Sequence, residues 1–202
     1  MTRLITFGCS LTHGEGVESW EAWPSLLAEY NRLKLVNCGE PGASAKRIWW
    51  NIVNFDLQPS DVVVTLWTHM DRWSIIKKDD LTDWDIYPET RKKYLNNTNF
   101  TPNNRDKLMH IWYEHFHDEW DMTQQYYLHV EHANLWLTHR CNRVYNLRTN
   151  SKRSTHFSTV DFLNSDIERI RSRHPKGSDN HHPGASAHRE FAESVWQEMR
   201  NK

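Results

Sequence analysis

The run Asp61-Val62-Val63-Val64-Thr65-Leu66-Trp67 constrains the fold of this chain more than any other segment. It is β-branched and almost free of polar interruptions. A half-exposed strand alternates apolar and polar residues, whereas a central strand of a parallel sheet, covered on both faces, does not. Three further runs read as strands: Leu4–Phe7, Lys34–Asn37 and Arg143–Leu147. Between the first two lies Ser19–Arg32, where Trp23, Leu26, Leu27 and Tyr30 recur at helical spacing and Pro24 suits a first turn. Ala45–Val53 also reads as a helix. The β-α-β-α-β alternation predicts a doubly wound α/β fold, a three-layer α/β/α sandwich on a parallel sheet of four to five strands.

The remaining segments are less regular. Lys77–Asn104 is polar, with several asparagines and two prolines, and is expected to form an irregular excursion or lid. Asn104–Arg140 reads as two helices broken near Asp118–Thr123, packed on the sheet and roofing a site. The organisation expected is one domain over 1–202, with an irregular and helical insertion at about 77–140. Lys152–Ser178 allows a fifth strand at His156–Phe162 and a short helix at Ser165–Arg173. Ala185–Arg200 is an amphipathic helix with Phe191, Val195 and Met199 on one face.

Composition narrows the class of function. A chain of 202 residues is long enough to bury a real core. Charge is nearly balanced, 25 Lys+Arg against 26 Asp+Glu, so no field argues for nucleic acid or a membrane surface as partner. The first strand begins within three residues of Met1, leaving no room for a leader peptide. No apolar run approaches the roughly 20 residues that span a bilayer. Three cysteines, an odd number, argue against a disulfide framework. The expectation is a soluble, cytoplasmic protein. Eleven tryptophans fill a core, with some left to line a groove for a sugar or a flat substrate.

The chemistry centres on Ser10. The first strand runs directly into Gly8-Cys9-Ser10-Leu11-Thr12, and in open α/β folds ligands sit beyond the carboxyl ends of the strands. A serine there, at the start of a helix, faces a crevice beside unpaired backbone N–H groups. Taken alone it reads as a cap or turn residue. Asp179 and His182, three apart, offer a base and the carboxylate that orients it, leaving one ring nitrogen to take the Ser10 proton. Asn37-Cys38-Gly39-Glu40-Pro41-Gly42 follows the second strand and brings a glycine N–H within reach of substrate. His69, directly after the third strand, is a second candidate donor to an oxyanion.

Together these pieces resemble the SGNH, or GDSL-like, hydrolase superfamily, whose four blocks occur here in order along nearly the whole chain. Gly8-Cys9-Ser10 is similar to the Gly-Asp-Ser block, with cysteine in place of aspartate, and Trp23-Pro24-x-x-Leu27 to the helix that commonly follows it. The second block's glycine maps onto Gly42, with Gly39 the alternative. The third block, usually Gly-x-Asn-Asp, departs most. Its asparagine falls on His69 and its glycine on Thr68, so either His69 takes over as donor or that donor is lost. Asp179-Asn180-His181-His182-Pro183 matches Asp-x-x-His-Pro, and the spacing favours His182 over His181.

The resemblance implies a flavodoxin-like fold and a serine esterase acting on a small O-acyl ester, an O-acylated carbohydrate among the candidates, with no cofactor and no metal. In that mechanism Ser10, His182 and Asp179 form the triad, and Ser10, Gly42 and His69 form the oxyanion hole. An acyltransferase using the same serine, or a non-catalytic binding protein on the same fold, is the alternative. The altered third block and compact size also resemble SGNH-like proteins carried by phages. Metal binding is the competing use of the histidines, through His115-x-His117 and His129-x-x-His132 with Glu114, Asp118 or Glu131. In a helix, His115 and His117 point about 200° apart, against a shared ion.

Overall fold

The computed structural model describes residues 2–76, 84–86, 104–149 and 158–202. Strands β1 (Arg3–Gly8), β2 (Lys34–Gly39), β3 (Val62–Trp67) and β6 (Arg143–Arg148) form one parallel sheet in the order β2-β1-β3-β6. All six positions of β3 are buried, which is what its unbroken apolar run requires. The register sets Phe7 opposite both Cys38 and Thr65, so the segments after β1, β2 and β3 leave the sheet side by side. The chain passes from β1 outward to β2, then returns to place β3 on β1's other side. That reversal opens a crevice at the carboxyl end of β1.

Helices α1 (Ser10–His13), α2 (Trp23–Asn31), α3 (Ala45–Asn54), α4 (Asn104–Ile111), α5 (Glu119–Arg140), α6 (Ile167–Arg171) and α7 (Ala185–Arg200) supply the outer layers. Pro24 occupies the first turn of α2, where its missing N–H costs no hydrogen bond. Ser44 caps α3 by accepting from the Arg47 N–H, and Asp118 caps α5 by accepting from Asp121. α2 packs on α7, where Trp23 meets Phe191 edge-to-face at 5.5 Å, while α3 packs on α5. Trp23, Trp67, Phe7 and Phe191 are fully buried. Each such side chain contributes roughly 1.5–3 kcal/mol through area removed from water. Trp20, Trp50 and Trp120 remain exposed.

Three sequence expectations change. The sheet has four strands. The segment expected as a fifth makes one parallel bridge, Phe162 to Asn146, with His156 and Phe157 outside the described residues. Ser158 and Thr159 are drawn off by the Glu131 carboxylate, and the Asn164 N–H by Glu198, so no ladder propagates. Second, the region read as an irregular lid holds a strand: β5 (Trp84–Ile86) pairs antiparallel with β4 (Trp73–Ile75). The rest of that lid, 77–83 and 87–103, lies outside the described residues. Third, α4 runs into a π turn, Trp112–Phe116, and the helical break falls at His117–Asp118. Among the described residues no helix is long and apolar enough to cross a membrane.

Candidate active site

Two glycines allow α1 to fold back against the strand ends. A Cβ on Gly8 would sit 2.1 Å from Thr12 Oγ1, and one on Gly39 would sit 2.3 Å from the His13 N–H. Any side chain at either position pushes α1 away. Ser10 therefore begins a one-turn helix at the carboxyl end of β1, with only 5% of its surface exposed. The turn after β2 places Gly42 at φ +80°, a conformation glycine adopts at little cost. Neither the Ser10 nor the Gly42 N–H has an acceptor among the described residues.

Residues 175–184 form a tight loop just before α7. Lys176 bridges Pro183, the Gly177 N–H donates to the His182 carbonyl at 2.9 Å, and Asn180 turns the chain at φ +58°. Asp179 is the pivot. Its Oδ1 accepts from the backbone N–H groups of His181 and His182, each at 2.9 Å, and its Oδ2 lies 2.5 Å from His182 Nδ1. The His182 N–H, the His181 N–H and the imidazole, in that order, hold the Asp179 carboxyl well below the usual carboxylate range. His182 Nε2 lies 3.1 Å from Ser10 Oγ, where it can accept the hydroxyl proton.

The loop after α1 locks this arrangement across the whole length of the chain. Gly16, at φ +89°, lies so close that a Cβ there would be 3.0 Å from Asp179 Oδ1 and 3.2 Å from His182 Cβ. The Gly16 carbonyl accepts from the Ser178 N–H at 2.8 Å. Glu15, between two glycines, sets Oε2 3.3 Å from His182 Nε2. A carboxylate facing that nitrogen repels the lone pair of neutral imidazole and attracts the N–H of imidazolium. Glu15 was missed in the sequence; a charged residue flanked by Gly14 and Gly16 just past the serine turn is the signal that would have found it. Behind the loop, fully buried His188 accepts from the Trp23 N–H at 3.1 Å. Burial, then the neighbouring His182 charge, push its pKa down to about 4.

His69 occupies a different setting. Its Nε2 lies 3.7 Å from Glu168 Oε1 of α6, and its side chain is 38% exposed. It lines a cleft with Thr68, Met70, Tyr126 and Arg148, and Ser10 does not line that cleft. Burial alone would raise the Glu168 carboxyl, but its contact with His69 and the charge and hydrogen bond of Arg171 outweigh it and lower the pKa. The histidines weighed as metal ligands meet other groups. His132 Nδ1 accepts from Trp49 Nε1 at 2.6 Å, His129 Nδ1 meets the Gln125 carbonyl at 2.5 Å, and His115 Nε2 lies 3.6 Å from Glu114. Burial, with Glu40 second, pushes the Cys38 thiol up to about 11, so it stays protonated and unreactive near neutrality.

The parallel four-stranded sheet between two helical layers, with its crevice at the end of β1, defines the three-layer α/β/α class. Within that class the fold is that of the SGNH, or GDSL-like, hydrolases. The chain is similar to a member of the lipolytic protein G-D-S-L family from Veillonella parvula, at 12% identity and TM-score 0.52, covering 98% of this chain and 97% of that one. It is also similar to a lipase from a goat rumen metagenome, at 12% identity and TM-score 0.54, covering 96% of each chain. A mutant of an acetyl-xylooligosaccharide esterase from Geobacillus stearmophilus matches at 13% identity and TM-score 0.53, covering 98% of this chain and 93% of that one. By sequence, the chain matches no protein-family model and no curated protein.

Proposed function

We propose that this protein is a serine ester hydrolase. The observation that carries the reading is the continuous hydrogen-bond chain from Ser10 Oγ through His182 to Asp179. Ser10 attacks the ester carbonyl while His182 Nε2 takes its proton. Asp179 accepts from Nδ1–H, which fixes the tautomer that leaves Nε2 free, and it stabilises the imidazolium that forms. The unpaired N–H groups of Ser10 and Gly42 receive the oxyanion, with His69 as a third donor steadied by Glu168. Glu15 holds the imidazolium until Nε2–H protonates the departing alcohol. Water, deprotonated by His182, then attacks the acyl-enzyme, releases the acid and restores Ser10.

The substrate is a small O-acyl ester, with an O-acetylated carbohydrate favoured. Likeness to the acetyl-xylooligosaccharide esterase supports that class. A fluorophosphonate probe tests the nucleophile directly. Wild type should label at one site, and Ser10→Ala should not label at all. Hydrolysis of 4-nitrophenyl acetate by Ser10→Ala should fall by at least about 1,000-fold. A folded wild type that neither labels nor hydrolyses would make this a non-catalytic binding protein on the same fold.

A further inference from the structure

Past the turn that carries Gly42, the start of α3 and the turn after β3 line a small, open cleft whose walls include Ala45, Lys46, Arg72, Trp73, Gln125 and His129. Its cations have no counter-ion among the described residues. Lys46 Nζ stands 4.7 Å from the centre of the Trp73 ring, which is itself stacked on Trp112 at 5.2 Å. Lys46 has no carboxylate partner among the described residues, and burial pulls its pKa down. Arg72 Nη1 is buried and has no hydrogen-bond acceptor among the described residues. A buried donor of this kind is costly unless something accepts from it. The amino end of α3 adds to the positive field, because Ser44 Oγ satisfies the Arg47 N–H and leaves the first-turn N–H groups before it free. No carboxylate lines the cleft among the described residues.

The cleft shares an edge of the sheet with the nucleophile. Phe7 pairs with Thr65, so Thr68 leaves β3 level with Ser10, and Arg72 follows within one turn. Ala45 lies three residues beyond Gly42. We propose that Lys46 and Arg72 form a subsite for a carboxylate or phosphate group, and that the substrate is an ester bearing such an anion. The substrate half of this proposal rests on the ester-hydrolase reading; the anion site does not. Arg72 supplies the oriented donor, Lys46 the point charge and Trp73 the platform that keeps Lys46 in place. A neutral acyl sugar leaves the Arg72 N–H unpaired, which is how the site discriminates.

Binding and turnover test the two halves separately. Isothermal titration with inorganic phosphate and with succinate should detect binding to wild type and to Ser10→Ala alike. Lys46→Gln and Arg72→Gln, each checked for folding by circular dichroism, should weaken it by about 10-fold or more. Turnover is compared over two matched pairs: 4-nitrophenyl hemisuccinate against 4-nitrophenyl butyrate, and O-acetylated glucuronate against O-acetylated glucose. Wild type should prefer the anionic member of one pair, which tells whether the anion sits on the acyl or the alcohol side. Both substitutions should reduce that preference by about 10-fold. Equal binding of phosphate and succinate by wild type and both variants would overturn the anion site, whatever the esterase activity. Binding lost in the variants without any ester hydrolysis by wild type would keep the anion site and overturn the substrate half.

Discussion

The loop that carries Asp179 and His182 and the segment that carries His69 are built differently. On one side, Asp179 and His182 sit in a loop closed by backbone hydrogen bonds and pressed against Gly16, where even a methyl group would crowd the carboxylate. On the other, His69 is more than a third exposed and is tied by a single side-chain contact to Glu168 on a five-residue helix. The first arrangement is overdetermined: several independent contacts fix the same two side chains. The second depends on one pair that solvent can weaken. A group that must accept a proton along one direction needs the first kind of support, whereas a hydrogen-bond donor held only in the second way is less well preorganised.

The largest effect that could break this contrast is expected at Asp179. Asp179→Asn keeps the shape of the loop but lets His182 adopt the wrong tautomer, so kcat should fall on the order of 10,000-fold. Because the folded protein holds the Asp179 carboxyl below its ordinary value, this group stabilises the fold above about pH 4 and loses that contribution only as pH falls further. A kcat for Asp179→Asn within tenfold of wild type would mean that the rigid side is not catalytic.

A smaller effect is expected at His69. His69→Ala should lower kcat for an aryl ester by about 100-fold with little change in KM, while His69→Asn keeps most of the rate. Hydrolysis by His69→Ala as fast as wild type would leave the oxyanion hole to the Ser10 and Gly42 N–H groups and reduce His69 to a strand-end residue.

The smallest effect concerns stability on the rigid side. Buried His188 has its pKa pushed down to about 4, so the unfolded chain takes up a proton before the folded one does. Its contribution to stability is full above about pH 6.5 and declines as pH falls from there towards 4. The midpoint of thermal unfolding should drop over that range in wild type, and the slope should be shallower in His188→Asn. Identical slopes would remove His188 from the support of the His182 loop.

Much of this was legible because it is local. The apolar run of β3, the helical spacing at Trp23, Leu26 and Leu27, the Ser10 turn and the Asp179-x-x-His182 spacing each depend on residues within a few positions of one another. The break between α4 and α5 falls at His117–Asp118, at the edge of the Asp118–Thr123 stretch where it was expected. The possible fifth strand is reduced to one bridge because Ser158 and Thr159 have a competing partner, Glu131, more than 20 positions away. Periodicity says nothing of such competition. The β4–β5 pair was overlooked because three-residue strands carry too little pattern to stand out from a polar loop.

The sequence by itself determined the layer order and singled out Ser10, Asp179 and His182, which the fold brings together, since apolar period and residue spacing are properties of short stretches of chain. Only the tertiary structure decided that Glu15 faces His182, that His69 turns to Glu168, and that Lys46 and Arg72 share a cleft with no counter-ion among the described residues. Each of those depends on which distant segments touch. Charge and hydrogen bonding act over a few ångströms of space, and a linear sequence does not encode that distance until the sheet has brought its strand ends together.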